Sequence, residues 1–383
     1  MIVLKSVFII GSRGYKAKYG GWETFVTNLV DNYKDKNTKF YISEYTNDKN
    51  KSVYKVNDNI IIFPIYVSNF RSATMFIYTI KAFKYCYKYI KDNNINNSFL
   101  YVLGLKLFIY LMLYKKRLCK LNITTLVNPD GLEHLRSKWS YPVKKFFLIS
   151  ERLMLNNCDV IVCDAKGIKD YVNNKYPGLK DKTTYIAYGF NKINLDNIKE
   201  KEILKKYNLS SYNYCLLVGR CVPENNYELI INDYINSKID KDLIIISNIS
   251  GSNYYNELIN KTDCLSDKRI HFIDGVYDPI ELAVIRKNAY LYIHGHSVGG
   301  TNPSLIEALS LTDVNVLYDV CFNRDVGLDS CLYFKNNNDL TSILNNSKKI
   351  DNDRKKMGDK AKKIVNDNFT WDIIVNKYKK LFK

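Results

Sequence analysis

Three glycine-rich turns, each following an apolar run, hold the residues whose types and spacing suit chemistry. The first, GSRGYKAKYGGWETF from Gly11, sets Arg13, Lys16 and Lys18 among Gly11, Gly14, Gly20 and Gly21. It lacks both the GxGxxG dinucleotide fingerprint and the GxxxxGK[ST] phosphate loop. What it keeps is a glycine pair opening a helical pattern, where backbone N–H groups meet an anion with no Cβ in the way. A flexible turn with solvated charges is the alternative, but the position after a first strand and before a helix favours phosphate. The second turn, VGRCVPENN (Val218 to Asn226), puts Arg220 just past a strand end. A guanidinium there holds two phosphate oxygens at once, or else pairs with Glu224 at the surface. The third, HGHSVGGTNPSLIEAL from His294, leads into a helix that Thr301 or Asn302 can cap and whose first turn suits Pro303. That helix end favours an anion by ~0.3–1 kcal/mol. Glu307 lies one turn inside, where a carboxylate accepts hydrogen bonds from a ribose diol.

A metal is not expected. His294 and His296 share one side of a strand end, but no third ligand accompanies them. Asp240 with Asp242, and Asp351 with Asp353, match a DxD string in polar turns or helix starts, where capping is the ordinary use.

Short apolar runs alternate with helical patterns and so position these turns. Strands are predicted at Val7 to Ile10, Phe40 to Ser43, Ile60 to Pro64, Phe99 to Val102, Ile123 to Val127 and Val160 to Cys163. Helices are predicted at Gly21 to Tyr33, Ala73 to Lys91, Tyr141 to Asn156 and Ala165 to Asn174. The alternation restarts with strands at Tyr214 to Gly219, Leu243 to Ser247, Ile270 to Ile273, Tyr290 to Gly295 and Val314 to Tyr318. Such alternation means parallel sheets covered on both faces. A polar stretch near 190 to 212 marks a boundary, and a second polar break precedes a last helix from Thr370. A length of 383 residues suits two domains.

The formal net charge of +18 calls for an anionic partner: nucleic acid, a membrane surface or a phosphorylated substrate. No helix-turn-helix, zinc module or RNP string supports nucleic acid. Lys81, Lys84, Lys88 and Lys91 follow one helix face beside Phe83, Tyr85 and Tyr87, and RSKWSYPVKKFF (Arg136 to Phe147) repeats the mixture. Basic faces with aromatics suit anionic headgroups at ~1 kcal/mol per cation, though an ordinary solvated helix reads the same way. The nine cysteines form no CxxC pair, which fits reduced thiols in the cytoplasm. The N-terminus reads as a buried strand, not a signal peptide, and no uncharged run reaches the ~20 residues of a bilayer span. Phe99 to Tyr114 reads as a buried strand followed by a buried helix.

Taken together and in order, these segments resemble the retaining GT-B glycosyltransferases of family four. GSRGYKAKYGGWETFV is similar to the GxRGxPAKYGGxETF opening of a bacterial rhamnosyltransferase-like subgroup, and NPDGLEHLRSKW (Asn128 to Trp139) to its central motif. VGRCVPENN and HGHSVGGTNPSLIEA resemble its nucleotide-binding motifs. The resemblance implies an α/β fold of two facing Rossmann-like, doubly wound parallel-sheet domains, with a C-terminal helix crossing back to the first. Residues 1–195 would bind the acceptor, residues 196–367 the nucleotide sugar, and residues 368–383 would be the returning helix.

Carried over by position, Gly20 and Gly21 would face the donor diphosphate, and Arg220 would neutralise the leaving phosphates. Glu307 would hold the ribose, and Gly300, Thr301 and Asn302 would lie beside the donor sugar and diphosphate, with Gly219 at the strand end. Many members carry a Lys where Asn225 and Asn226 stand here, which leaves Arg13 and Lys18 to make up the charge. Many also carry a second Glu where Gly299 stands, which leaves sugar recognition open. Asp130 and His134, in the central motif, would touch the acceptor or donor sugar, or make structural hydrogen bonds in a turn. The implied reaction is a front-face substitution with retention, the leaving diphosphate helping to deprotonate the acceptor. No cofactor or metal is implied beyond the nucleotide-sugar donor. dTDP-rhamnose is the implied donor, and a lipid-linked saccharide of a cell-surface polysaccharide the implied acceptor, at the inner face of the cell membrane. A nucleotide-sugar epimerase on the same plan, and a basic nucleic-acid binder, are the competing readings.

Overall fold

The computed structural model describes residues 4–17, 20–70, 73–129, 131, 134, 139–298 and 300–383. Two compact units divide the chain: Met1–Gly189 with Trp371–Lys383, and Phe190–Thr370.

The first unit is built on an eight-stranded sheet: β1 (Lys5–Ile10), β2 (Thr38–Thr46), β3 (Tyr54–Asn57), β4 (Ile60–Tyr66), β5 (Ser98–Leu103), β6 (Ile123–Asn128), β7 (Val160–Cys163) and β8 (Thr183–Tyr185). The strand order is β3-β4-β2-β1-β5-β6-β7-β8. All neighbours are parallel except β3, which runs antiparallel to β4 at the edge. Val7 to Ile10 and Val102 are wholly buried, as central parallel strands require when helices cover both faces. β3 carries no apolar signal because all four of its residues are exposed, so only its pairing with β4 makes it a strand.

The helices are α1 (Gly21–Asn32), α2 (Thr74–Asp92), α3 (Phe108–Lys120), α4 (Tyr141–Asn157) and α5 (Lys166–Lys175). On α1, Phe25, Val26, Leu29 and Val30 form the buried stripe that a 3.6-residue period gives. The sheet's first half thus matches the predicted alternation to within a few residues at each boundary. On α2, Lys81, Lys84, Lys88 and Lys91 are exposed together, as expected. Its aromatics face inward instead: Phe83 is buried, Tyr85 stacks on Phe63 and Tyr87 meets Tyr114 edge-on. The run expected to be a buried helix, α3, is amphipathic, with Ile109, Met112 and Leu113 exposed.

The second unit has α6 (Glu200–Lys206), β9 (Tyr214–Val218), α7 (Tyr227–Ile235), β10 (Asp242–Ser247), α8 (Asn253–Lys261), β11 (Ile270–Asp274), α9 (Pro279–Lys287), β12 (Leu291–His294), α10 (Pro303–Leu311), β13 (Asn315–Tyr318), α11 (Cys321–Gly327), β14 (Leu332–Phe334), α12 (Asp339–Leu344) and α13 (Ser347–Asn368). The strands form one parallel sheet in the order β11-β10-β9-β12-β13-β14. Alternate residues serve opposite faces: Leu217, Ile245 and Ile293 pack on one side, Leu216, Ile244 and Tyr292 on the other.

The second polar break of the sequence is in fact α13, a helix of 22 residues. Only Ile350, Gly358, Ala361 and Val365 of it are buried, a stripe too thin to stand out among lysines and aspartates. Gly358 lets the helix approach closely, since a Cβ there would lie 2.5 Å from the Asp313 carboxylate.

The last helix, α14 (Trp371–Leu381), returns to the first unit. Trp371, Ile374, Val375 and Tyr378 are its buried face. Phe25 lies within 6.3 Å of the Tyr101, Tyr188, Trp371 and Tyr378 ring centroids, and the hydroxyls of Tyr101 and Tyr378 meet at 2.9 Å. Gly189 sits where a Cβ would come within 2.3 Å of the Trp371 ring, so the chain leaves the unit against this indole. Among the described residues no helix is long and apolar enough to cross a membrane.

Candidate functional site

In the second unit the chain lays down β9, β10 and β11 outward on one side, then returns to place β12 on the other side of β9. This reversal leaves a crevice beyond the carboxyl ends of β9 and β12, the usual ligand position in such sheets. Gly219 and Arg220 follow β9, and Gly295 and His296 follow β12.

Side-chain amides tie these two turns together. Asn226, left-handed at φ 52°, donates from Nδ2 to the Gly295 carbonyl at 2.7 Å. Ser297 donates from its amide and hydroxyl to the Glu224 carbonyl at 2.9 and 2.8 Å. The backbones approach so closely that a Cβ on Gly295 would fall 2.1 Å from the Asn225 carbonyl oxygen. Asn225 is itself buried and donates to the Arg220 carbonyl at 2.7 Å, so its amide shapes the turn that presents Arg220. Arg220 is exposed. It is a cation at the mouth of the crevice.

The α10 end is built as its sequence predicts. Asn302 caps it, accepting from the Ser304 amide at 2.9 Å, and Pro303 occupies the first turn. Thr301 is buried and Gly300 partly exposed. One turn in, Glu307 accepts from Arg286 Nη1 at 2.6 Å, while Arg286 Nη2 donates to the Ser304 hydroxyl at 2.8 Å. The Tyr292 hydroxyl lies 3.3 Å from Ser304 Oγ and donates to the Val218 carbonyl at 3.3 Å, which links α10 back to β9. Arg286 is 2% exposed and Glu307 36% exposed, so a buried cation orients a carboxylate that still reaches solvent.

Residues Arg286, Tyr292 and Ser304 were not anticipated. The signal for Arg286 was present: it falls in the apolar stripe of α9, beside buried Ala283, Val284 and Ile285. A cation at a core position needs a partner.

In the first unit the crevice position lies between β1 and β5, where the strand order also reverses. Gly11 has φ 106°, and a Cβ there would meet the Leu103 carbonyl oxygen at 2.3 Å. Buried Glu23, in the first turn of α1, accepts from the Arg13 amide at 2.7 Å and so ties the loop to the helix. Gly20 and Gly21 are exposed at the helix start, which no side chain caps. Lys18 lies outside the described residues, as do Asp130, Gly299 and Arg136.

His134 lies beside a network centred on buried Glu151. Tyr171, Lys175 and Tyr176 donate to Glu151 Oε1 at 3.0, 2.9 and 2.8 Å. His134 Nδ1 lies 3.8 Å from Glu151 Oε2, and its Nε2 lies 3.4 Å from the Tyr171 hydroxyl. Burial lowers the His134 pKa below the usual imidazole range, against the pull of Glu151. Three of the four DxD aspartates have a basic neighbour: Asp240 lies near Lys241, Asp242 near His271 and Asp351 near Arg354.

Residues 4–191 match the model of a domain of unknown function, DUF1972. The chain is 25% identical over 241 residues to an uncharacterised glycosyltransferase of Methanocaldococcus jannaschii, a match that takes in 61% of this chain and spans 60% of that protein's length. Among solved structures it resembles the sucrose-phosphate synthase of Thermosynechococcus elongatus, with TM-score 0.74 and 14% identity over 99% of this chain and 98% of that one. It also resembles Anabaena HepE in complex with UDP, with TM-score 0.72 and 12% identity over 99% of both chains. A glycosyltransferase of Rickettsia africae matches with TM-score 0.71 and 15% identity over 100% of this chain and 98% of that one. The two Rossmann-like parallel-sheet units of this chain are those of the GT-B fold.

Proposed function

We infer that the protein is a glycosyltransferase that draws its sugar from a nucleotide diphosphate carrier, with the second unit holding the donor. One observation carries this reading. Exposed Arg220, the capped end of α10 and a Glu307 carboxylate oriented by Arg286 belong to one hydrogen-bonded frame around the β9–β12 crevice. A diphosphate matches the first two, and a ribose diol the third. The name of the M. jannaschii relative, and the complexes of HepE with UDP and with UDP-glucose, favour the same class. Arg220 would bear the charge that builds on the leaving phosphates as the glycosidic bond breaks, a role typically worth about 3 kcal/mol.

The donor is proposed to be dTDP-rhamnose, on the likeness of the opening and GGTNP segments to the rhamnosyltransferase-like subgroup. The acceptor is proposed to be a lipid-linked saccharide in cell-surface polysaccharide assembly. A thermal-shift panel of nucleotide sugars, followed by turnover of the best binder on a lipid-linked monosaccharide, tests both. Stabilisation by dTDP-rhamnose above the others supports the sugar. Sugar interconversion without acceptor would point to an epimerase, and no response to any nucleotide sugar would sink the reading.

Docking at the cytoplasmic face of the membrane is part of the same proposal, and the first unit carries a surface for it. Ile109, Met112 and Leu113 on α3, with Tyr141, Phe146 and Ile149 on α4, are all exposed. The two helices pack on each other, the Phe108 and Phe146 rings standing 5.4 Å apart. Exposed Lys116, Arg117, Lys145 and Arg152 accompany them. Apolar side chains amid cations suit an anionic bilayer surface. Sedimentation with phosphatidylglycerol vesicles, reversed by salt and lost in the Leu113→Asp, Ile149→Asp double variant, is the expected result. Equal sedimentation of that variant would remove this surface.

A further inference from the structure

Two imidazoles stand at the end of β12, behind the Gly219–Arg220 turn. The rings of His294 and His296 stack with centroids 4.3 Å apart and planes 11° from parallel. His294 is wholly buried; its Nδ1 lies 3.4 Å from the Tyr292 hydroxyl, and among the described residues its Nε2 has no partner. His296 reaches partly to solvent, and its Nδ1 likewise has no partner among the described residues. It is pressed against the β9 turn: a Cβ on Gly219 would come within 3.1 Å of its Cε1 and 3.7 Å of its Nε2. Asn323 donates to the His296 carbonyl at 2.9 Å and holds that backbone in place.

The charges that bear on the pair are mostly positive. Arg220 acts on His296 from the turn after β9, and Arg286 acts on His294 from α9. The carboxylate near them, Glu307 on α10, is already tied to Arg286. Among the described residues, Tyr292 beside His294 and Asn323 on the His296 carbonyl are neutral neighbours. Burial and Arg220 push His296 down to about 4, and burial pushes His294 well below the usual imidazole range. Both rings are therefore neutral at pH 7. Two buried imidazole nitrogens to which the described residues give no partner, one of them beside the Arg220 cation, leave a place where added negative charge is welcome and a proton could follow it.

We propose that His296 is a diphosphate contact that takes up a proton from solvent as the nucleotide sugar binds, with His294 stacked behind it as a neutral positioning residue. This rests on the reading of the second unit as the donor site. The diphosphate of a nucleotide sugar has no group that titrates near neutrality, so a proton gained on binding belongs to the protein. Protonated His296 would add a charge-assisted hydrogen bond where the family pattern has a lysine and this chain has Asn225 and Asn226.

Titration calorimetry with UDP-glucose and dTDP-rhamnose, at pH 7 in two buffers of different ionisation enthalpy, reads the proton count directly. The expected result is uptake of up to one proton per site and affinity that rises toward tenfold per unit as pH falls from 8 to 6. His296→Gln should bind more weakly and lose both effects. Binding by the wild-type protein with no proton uptake between pH 6 and 8 overturns the proposal, as does uptake that survives in His296→Gln. Failure of every nucleotide sugar to bind overturns the donor-site reading and this proposal together. The wild-type measurement stands by itself if the variant does not fold.

Discussion

Arg286 donates to Glu307 at 2.6 Å from a position buried in the second unit, whereas Glu307 is one-third exposed. The pair is unequal, and so are the consequences of breaking it. Glu307→Ala leaves a buried guanidinium uncompensated and is expected to cost about 2–4 kcal/mol of stability by urea denaturation. Glu307→Gln keeps a hydrogen-bond acceptor for Arg286, and should lose donor affinity with a smaller loss of stability. Equal stability of the Ala variant and the wild type would show that the Arg286 charge does not depend on Glu307 for its compensation.

Arg220 presents the reverse case. It is exposed, so Arg220→Ala should change stability by less than about 0.5 kcal/mol. Turnover should fall about a hundredfold or more. Near wild-type turnover in a folded Arg220→Ala protein would remove this residue from the mechanism.

Gly295 has no room for a side chain, because a Cβ would stand 2.1 Å from the Asn225 carbonyl oxygen. Gly295→Ala must part the β9 and β12 turns. The expected cost is about 3 kcal/mol, with loss of nucleotide-sugar binding, since overpacking against backbone cannot be relieved by a rotamer change. Gly21→Ala meets nothing within 4 Å and should leave stability nearly unchanged, which makes it the control.

The buried histidines set a limit on acid stability. Their folded-state pKa values are lowered, so below the unfolded value of about 6.5 the unfolded chain binds protons that the folded chain does not. Stability should therefore fall as pH falls from about 6.5 toward 4, by up to ~1.4 kcal/mol per pH unit for each ring. Melting temperature followed from pH 7.5 to 5 checks this. His296→Gln should flatten the profile, and an unchanged slope would assign the loss to other groups.

None of the nine cysteines is in a disulfide, and only Cys119 and Cys321 are exposed. Burial pushes the Cys158 thiol up to about 12. A thiol reagent at pH 7.5 should modify two sites in the folded protein and nine in urea, as mass spectrometry would count. Rapid labelling of Cys158 in buffer would mean that this part of the first unit opens readily.

Periodicity alone set out most of the scaffold. Val160 to Cys163 and the Val7 to Ile10 core of β1 are short β-branched runs between helical patterns, and local composition is enough to make them buried parallel strands. Asn302 before Pro303 likewise announces a capped helix within a few residues of itself. The parts that remained hidden depend on neighbours distant in sequence. β3 is a strand only because β4 lies beside it, and α13 is a helix whose thin apolar stripe gains meaning only once α10 and α11 are there to cover it. The sequence shows Arg286 as one charged residue in a helix. Only folding brings α9 against α10, and with it the carboxylate that makes the buried cation tolerable. His294 and His296 are visible as a spacing, but their stacking under Gly219 exists because the strand order reverses between β9 and β12. Local chemistry determined which elements form. The crossing of the chain back over its own first strand decided which side chains meet, because contact between residues far apart in sequence is a property of topology and not of composition.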